Sequence, residues 1–199
     1  MLRQAFRITL LIGCSLLGTL VTNAQSRNLL QNPNADLNTQ GWRTYGQATV
    51  EASTGNNLVF VVRNGGYFIQ DVTLTPEANG QYALLIARAS CERSNRDGSI
   101  TGLPYLYGYM MDHGEPSGGN VLAYLQGQRM LRSELQQNEW ADLWGVFQVP
   151  KGTGRIRFFL KQALAQGTPD NGSAARFDNV GLYLFATKEE AQAFAGSYH

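Results

Sequence analysis

The sequence predicts an all-β sandwich, and three features of its 199 residues support that fold class. Short runs alternate between apolar and polar residues, with the period of two that half-buried strands have. Turn-forming residues separate these runs, and glycine is abundant, at 22 residues. No long stretch has the helical spacing of apolar residues, which excludes a helical bundle.

The chain begins with the pattern of a secretory signal peptide at 1–24. Arg3 and Arg7 precede an apolar stretch at 8–21, and small residues follow where cleavage is expected. The apolar stretch is too short to favour a membrane span. A four-residue stretch ending at Cys14 also resembles a bacterial lipobox, but the apolar run continues beyond that cysteine. The sequence therefore favours a secreted protein over one that is lipid-anchored through Cys14.

Charge and cysteine content restrict the function of the remaining chain. Removal of Arg3 and Arg7 lowers the number of basic residues from 16 to 14, against 15 acidic residues. This balance gives no reason to expect binding to nucleic acid. Cys91 is then the only cysteine, so its thiol is expected to be buried or, alternatively, to bridge two chains. The length suits one domain, which we predict at 26–186.

Alternation and turn signals divide this domain into ten predicted strands. The strand at 81–90 is apolar on both faces, which predicts a central position in a sheet. Asn64-Gly65-Gly66 predicts a tight hairpin turn between two strands. The capping-box spacing that starts at Thr187 predicts a short helix in the tail at 187–199, ended by Gly196. The predicted strands span residues 27–30, 44–52, 58–63, 67–74, 81–90, 104–111, 121–125, 140–149, 154–162 and 175–185.

The last predicted strand, at 175–185, organises the domain. Three aliphatic residues share one of its faces, and Asp178 falls on that same face. A carboxylate on a core-facing row needs a partner, because burying it alone costs free energy. The opening segment at 28–36, together with Trp42, is the expected partner. The first and last strands would then meet and close a jelly roll.

Four motifs, in this order along the chain, resemble those of galactose-binding-like jelly rolls. They are NLLQNPNADLNTQGW at 28–42, IQDVTLTPEANGQYALLIARAS at 69–90, WADLWGVFQVPKGTGRIRFFL at 140–160 and ARFDNVGLYLF at 175–185. Carbohydrate-binding modules of the xylan- and cellulose-binding type carry a similar pattern. The resemblance implies a jelly-roll β-sandwich and a non-catalytic protein that binds a polysaccharide or another glycan.

The resemblance also implies a metal site. These families often hold a structural Ca²⁺ between the opening loop and the closing strand, at positions that match Asp36 and Asp178. Ca²⁺ takes six to eight oxygen ligands, so backbone carbonyls would have to complete the shell. The sequence departs from the family pattern at Asn179, where a second Asp is frequent. The alternative is that Asp178 only accepts backbone N–H bonds in the opening loop.

A row of tyrosines in the predicted strand at 104–111 is the clearest candidate binding surface. Alternate residues of a strand lie on one face, about 7 Å apart. Aromatic rings stack on the C–H faces of sugars, and fixed polar groups read the hydroxyls. The alternative is that tyrosine simply suits a half-buried sheet. The candidate ligand-binding residues are Tyr105, Tyr107, Tyr109, Arg88, Arg157 and Trp140.

The sequence does not predict an enzyme. It contains two histidines, His113 and His199, and it lacks a nucleophile elbow and a zinc-protease motif. A glycosidase would need two carboxylates facing each other across a cleft, and the sequence leaves several carboxylates unplaced. The second hypothesis is a structural or interaction protein of the cell envelope that keeps the fold without sugar binding and contacts an envelope protein. A polysaccharide-active enzyme is the third.

Overall fold

Eight strands, one α-helix and two short 3₁₀ helices (Thr54–Asn56 and Pro76–Ala78) form the regular structure of the residues that the structure describes. The computed structural model describes residues 27–92, 102–113, 119–126, 138–163 and 173–198, so the predicted signal peptide and Cys14 lie outside the described residues. The strands are β1 (Arg43–Ala52), β2 (Leu58–Thr73), β3 (Tyr82–Cys91), β4 (Pro104–Met111), β5 (Val121–Leu125), β6 (Ala141–Gln148), β7 (Arg155–Gln162) and β8 (Ala175–Phe185), and the helix is α1 (Lys188–Gly196).

The strands pair antiparallel in the order β5-β4-β7-β2-β8-β3-β6, with β1 beside β2. The first half of β2 pairs with β8 and its second half pairs with β7. The long strand β2 therefore joins two layers. The front sheet contains β5, β4, β7 and the second half of β2, and the back sheet contains the first half of β2, β8, β3 and β6. This arrangement confirms the predicted jelly-roll β-sandwich.

The predicted hairpin at Asn64-Gly65-Gly66 is wrong. β2 continues through these residues, and β1 follows it on both sides, with Gln47 opposite Arg63 and Tyr45 opposite Tyr67. Asn64 and Gly65 have φ angles of 49° and 69°, so their turn chemistry bends the strand at a bulge rather than reversing it. A Cβ atom on Gly66 would lie 2.8 Å from the backbone of Gln47. The bulge is the corner at which β2 passes between the sheets.

The opening segment lies against β8, as predicted, but most of its contacts there are not those of a strand ladder. Asn28 donates from Nδ2 to the carbonyl of Val180 at 2.8 Å, and its Oδ1 accepts from the N–H of Leu182 at 3.1 Å. The N–H of Leu29 donates to the carbonyl of Leu182 at 2.9 Å. In the segment predicted as a strand at 27–30, hydrogen bonds of the Asn28 side chain thus replace part of the backbone pairing with β8.

Asp178 does not lie on the core face, which corrects the alternation predicted for the last strand. Asn179 has a φ of 47°, and the register with β3 shifts at this point. Phe177 and Val180 are consequently both buried in the core. The partner of Asp178 is Asn57, whose Nδ2 donates to Oδ2 at 2.8 Å, and not the opening loop.

Trp42 sits at the centre of the core between the sheets. Its side chain is 6% exposed, and its ring centroid lies 5.1 Å from that of Phe60 and 6.1 Å from that of Phe158. The neighbouring Gln70 is also buried and exchanges two hydrogen bonds with the backbone of Gln31. Cys91 is buried at the edge of the core, and burial raises the pKa of its thiol.

The helix α1 covers part of the outer surface of the back sheet. Thr187 and Glu190 form the predicted capping box, with reciprocal hydrogen bonds of 3.2 Å. The helix includes Gly196 rather than ending before it. Its buried face packs on Leu84, Ile86 and Tyr183. No helix in the described part of the chain is long and apolar enough to span a membrane.

Candidate functional site

The three predicted tyrosines of β4 lie in a row on the outer surface of the front sheet. Tyr105, Tyr107 and Tyr109 are each half-buried, and they alternate with residues that are buried on the core side. The ring centroids of Tyr105 and Tyr107 lie 5.8 Å apart, and those of Tyr107 and Tyr109 lie 6.0 Å apart. The row is therefore continuous.

Phe159 of β7 forms the floor beside this row. It stands opposite Tyr107 in the register of β4 and β7, and its side chain is 7% exposed. Its ring centroid lies 5.6 Å from that of Tyr107, 5.4 Å from that of Tyr109 and 5.6 Å from that of Tyr67. Phe159 thus connects the rings of β4 with those of β2.

The aromatic surface extends across five strands. Tyr67 of β2 stacks on Tyr45 of β1 at 4.8 Å, and Tyr109 contacts Tyr124 of β5 at 6.2 Å. Tyr45 and Tyr124 are 46% and 61% exposed, so both ends of the surface are open to solvent. The aromatic face, as it is called below, comprises Tyr45, Tyr67, Tyr105, Tyr107, Tyr109, Tyr124 and Phe159.

Lys161 lies among the rings of the aromatic face. Its Nζ is 5.4 Å from the ring centroid of Tyr107, 5.6 Å from that of Tyr67 and 5.9 Å from that of Phe159. Burial lowers the pKa of this amine, because water is replaced around it by apolar ring surface. Contact with the negative faces of aromatic rings offsets part of that cost. Lys161 therefore supplies a hydrogen-bond donor in the middle of the face.

An ion-paired cluster lies at the Tyr109 end of the tyrosine row. Arg157 donates from Nε to Oδ1 of Asp71 at 2.6 Å and from a second nitrogen to Oδ2 at 2.9 Å, and Arg43 donates to Oδ2 at 2.8 Å. Burial alone would raise the pKa of Asp71, but the two arginines hold it below its ordinary value. The Arg157 guanidinium also lies 5.9 Å from the Tyr109 ring centroid. These fixed polar groups border the rings.

Two phenols of the row remain protonated over a wide pH range. Burial raises the pKa of Tyr105, and burial together with the neighbouring tyrosines raises the pKa of Tyr107. The Tyr105 hydroxyl donates to Oε1 of Gln126 at 3.3 Å. At neutral pH these hydroxyls can both donate and accept hydrogen bonds, which suits a ligand rich in hydroxyl groups.

Of the other predicted ligand-binding residues, the structure brings only Arg157 to the tyrosine row. Arg88 is exposed on β3, opposite Asp142 of β6 and Asp178 of β8, and so belongs to the back sheet. Trp140 is half-buried beside β6 and packs on a small apolar cluster of the back sheet. Alternation in the sequence shows which side of a strand a residue occupies but not which sheet the strand joins.

The predicted metal ligands are not brought together with other acidic side chains. Asp36 is exposed in the opening loop, and the Asp178 oxygens accept from Asn57 and from the N–H of Asn179. Within the described ranges, no group of three or more His, Cys, Asp or Glu could hold a metal ion. Calcium binding through Asp36 and Asp178 remains a prediction that would depend on backbone oxygens.

Several residues of the aromatic face, and charged residues beside it, were not predicted from the sequence. Phe159 and Lys161 continue the alternation of Arg155 and Arg157 along β7, and Tyr67 and Asp71 alternate with buried residues along β2. That period of two could have placed them on an outer surface. What it could not provide is the pairing of β2, β7 and β4, which sets these residues side by side.

Comparison with solved structures supports the fold. The family 16 carbohydrate-binding module 2 matches with a TM-score of 0.53 and 18% identity, over 78% of this chain and 99% of that one. A candidate sugar-binding protein of Bacteroides thetaiotaomicron VPI-5482 matches with a TM-score of 0.52 and 10% identity, over 79% and 99%. The enzymatically active domain of tailspike protein 4 from bacteriophage CBA120 matches with a TM-score of 0.56 and 16% identity, over 79% of this chain and 21% of that one.

No protein-family model matches the sequence, and no curated protein matches it in sequence. At the identities of the structural matches, the likeness establishes the architecture alone. The chain has the jelly-roll fold of carbohydrate-binding modules.

Proposed function

We propose that this is a secreted, non-catalytic protein that binds a polysaccharide or oligosaccharide on its aromatic face. The observation that carries the proposal is the continuous row of half-buried tyrosine rings, with Lys161 among the rings and the Arg157–Asp71 pair beside them. Carbohydrate-binding modules share the fold, which makes sugar binding the first function to test. The signal peptide predicted at 1–24 supports secretion.

The construction of the face suits a sugar chain. Each ring of the row contacts other rings, so a ligand would meet side chains whose positions are already fixed, at little cost in conformational entropy. Ring surfaces would stack on the C–H faces of sugars. The phenols, Lys161 and Arg157 would form hydrogen bonds to hydroxyl groups.

The same geometry favours binding over hydrolysis. A glycosidase needs one carboxyl group that is protonated and a second carboxylate facing it. Asp71 is the one carboxylate that the described strand register places beside the aromatic rings. Its arginine partners hold its pKa low, so it would stay deprotonated and could not act as a general acid.

A second candidate function is an interaction protein of the cell envelope, and one observation favours it. The strand β5 is at an edge of the front sheet and exposes three large apolar side chains, namely Val121 at 38%, Leu122 at 41% and Tyr124 at 61%. An exposed apolar edge is a common feature of protein contact surfaces. An envelope protein partner would bind there rather than across the whole tyrosine row.

Isothermal titration calorimetry against xylan, soluble glucans, mannan and galactan tests the proposal. We expect saturable binding of at least one of these polysaccharides, and repeating the titration with Ca²⁺ and with EDTA would show whether a metal contributes. A folded protein that binds none of them would contradict the sugar-binding proposal and favour the envelope interaction protein.

The variant Tyr107→Ala locates the site. Loss of one stacking ring is expected to weaken binding of the same polysaccharide by roughly tenfold. Tyr82→Ala is a matched control, because Tyr82 is also half-buried but packs beside α1 on the back sheet. Equal loss of affinity in both variants, at equal stability, would argue against the aromatic face.

A further inference from the structure

A pocket lies on the opposite side of the sandwich from the aromatic face. It has a volume of about 440 Å³, and its lining includes Ser53, Thr54, Ser90, Asn138, Trp140 and Arg176. Ser90 stands opposite Arg176 in the register of β3 and β8. Their neighbours Ala89 and Phe177 are in the core, so Ser90 and Arg176 face the outer side of the back sheet. The pocket is therefore separate from the aromatic face.

Ser90 places a buried hydroxyl group at the wall of this pocket. The residue is 1% exposed, and its hydroxyl has no hydrogen-bond partner among the described residues. Buried hydroxyl groups in proteins are normally hydrogen-bonded, because leaving one without a partner costs free energy. A hydroxyl that lines a pocket under these conditions can donate to, and accept from, a ligand that enters it.

Arg176, which also lines the pocket, is held in position by an ion pair and a hydrogen bond. Its guanidinium donates to Oε1 of Glu92 at 3.3 Å and to Oδ1 of Asn138 at 3.1 Å. Of the five N–H groups on a guanidinium, these two bonds to described residues use two, and the others can donate to a ligand. Because Glu92 balances its charge, the pocket has no strong preference for an anion.

Trp140 adds an apolar surface to this polar lining. It is half-buried and packs on Val59, Val61 and Ala174 of the back sheet, which holds the indole in position. An immobilised indole next to hydroxyl, amide and guanidinium groups combines a stacking surface with hydrogen-bonding groups. That combination suits a compact neutral ligand with several hydroxyl groups.

We propose that this pocket is a second binding site, which accepts one neutral sugar residue such as the end or a branch of a glycan. Trp140 would contact the C–H face of the sugar. Ser90, Asn138 and Arg176 would bind its hydroxyls. The site does not depend on the aromatic face, so either one can bind without the other.

Nuclear magnetic resonance of the ¹⁵N-labelled protein tests the proposal, because the chain has three tryptophans and the aromatic face contains none of them. D-glucose, D-galactose, D-xylose and D-mannose are titrated separately, and the indole N–H signals are followed. We expect one of these sugars to shift the Trp140 signal saturably, while those of Trp42 and Trp144 stay in place. The proposal would be overturned if none of the four sugars shifted the Trp140 signal. It would also be overturned if inorganic phosphate shifted this signal and no sugar did.

The variant Ser90→Ala provides the second measurement. It is expected to weaken binding of the same sugar by about fivefold to tenfold, through loss of one hydrogen bond. The melting temperature should not fall, because the hydroxyl has no partner within the described fold. Ser197→Ala, at the exposed end of α1, is the matched control and should bind like the unmodified protein. Unchanged sugar affinity in Ser90→Ala would contradict the assignment of this hydroxyl.

Discussion

At the scale of single residues, the ion pair of Asp71 and Arg157 shows how charge orders one end of the aromatic face. Both side chains are largely buried, at 25% and 16% exposure, and they form two parallel hydrogen bonds. Such bidentate pairs fix geometry as well as contribute energy. The pair therefore keeps Arg157 beside Tyr109 rather than in solvent.

Asp71→Asn is expected to destabilise the protein by about 1–3 kcal/mol near neutral pH, because it removes charged hydrogen bonds to two arginines. The folded-state pKa of Asp71 is lowered, so its contribution is fully present above the ordinary carboxyl pKa. It is lost as the pH falls through the lowered value. The stability difference between the unmodified protein and the variant should shrink accordingly in acid, as measured by urea unfolding at several pH values.

Asp36→Asn is the control for this experiment, since Asp36 is exposed in the opening loop. Measured with EDTA present, it should change stability little at any pH. A difference for Asp71→Asn that persists unchanged below the lowered pKa would mean that the carboxylate acts through packing instead of charge.

The sequence predicted the position of a side chain correctly where that position depends on one strand only. The alternation of Tyr105, Tyr107 and Tyr109 alone places them on one surface. It could not place Arg88 and Trp140 relative to the tyrosine row, because their distance from the row depends on how the strands pair. It also failed for Asp178, because a local bulge at Asn179 reverses the alternation that the sequence suggests.

At the scale of the elements, the bulge of β2 determines how the sandwich turns. Asn-Gly-Gly is a strong hairpin sequence, and only the presence of β1 alongside both halves of β2 makes it a corner instead. The φ angles that Asn and Gly favour suit either a hairpin or a bulged corner. Long-range strand pairing decides between these two structures, and a single sequence does not show that pairing.

Gly66→Ala tests the close packing at this corner. A Cβ atom there would lie 2.8 Å from the backbone of Gln47, so one of the two strands would have to move. We expect a loss of about 1–3 kcal/mol in the free energy of unfolding, as in other overpacked sites. Guanidinium unfolding followed by circular dichroism measures this loss.

Gly196→Ala is the matched glycine substitution. A Cβ atom at this position meets nothing within 4 Å, and the residue belongs to α1, so the change should be neutral or stabilising by up to about 1 kcal/mol. Equal effects of the two substitutions would show that β1 and β2 do not approach closely at Gly66.

At the scale of the whole molecule, the order of the four motifs predicted the fold better than any single element did. The opening segment and β8 meet, as that order implies, through Asn28 and Leu29. The domain end at residue 186 is a prediction that rests on the last strand alone. The structure shows that α1, which follows it, covers apolar side chains of the back sheet.

Deletion of residues 187–199 tests whether the tail is part of the folded unit. The deletion would expose Leu84, Ile86 and Tyr183, each at most 8% exposed in the intact protein. Exposure of this apolar surface is expected to cost on the order of 3 kcal/mol and to promote binding of a hydrophobic dye. Differential scanning calorimetry and dye fluorescence measure the two effects.

Because α1 lies on the back sheet, away from the tyrosine row, the shortened protein should keep its affinity for polysaccharide at temperatures where it is folded. A shortened protein with an unchanged melting temperature would show that the sandwich is complete at residue 186.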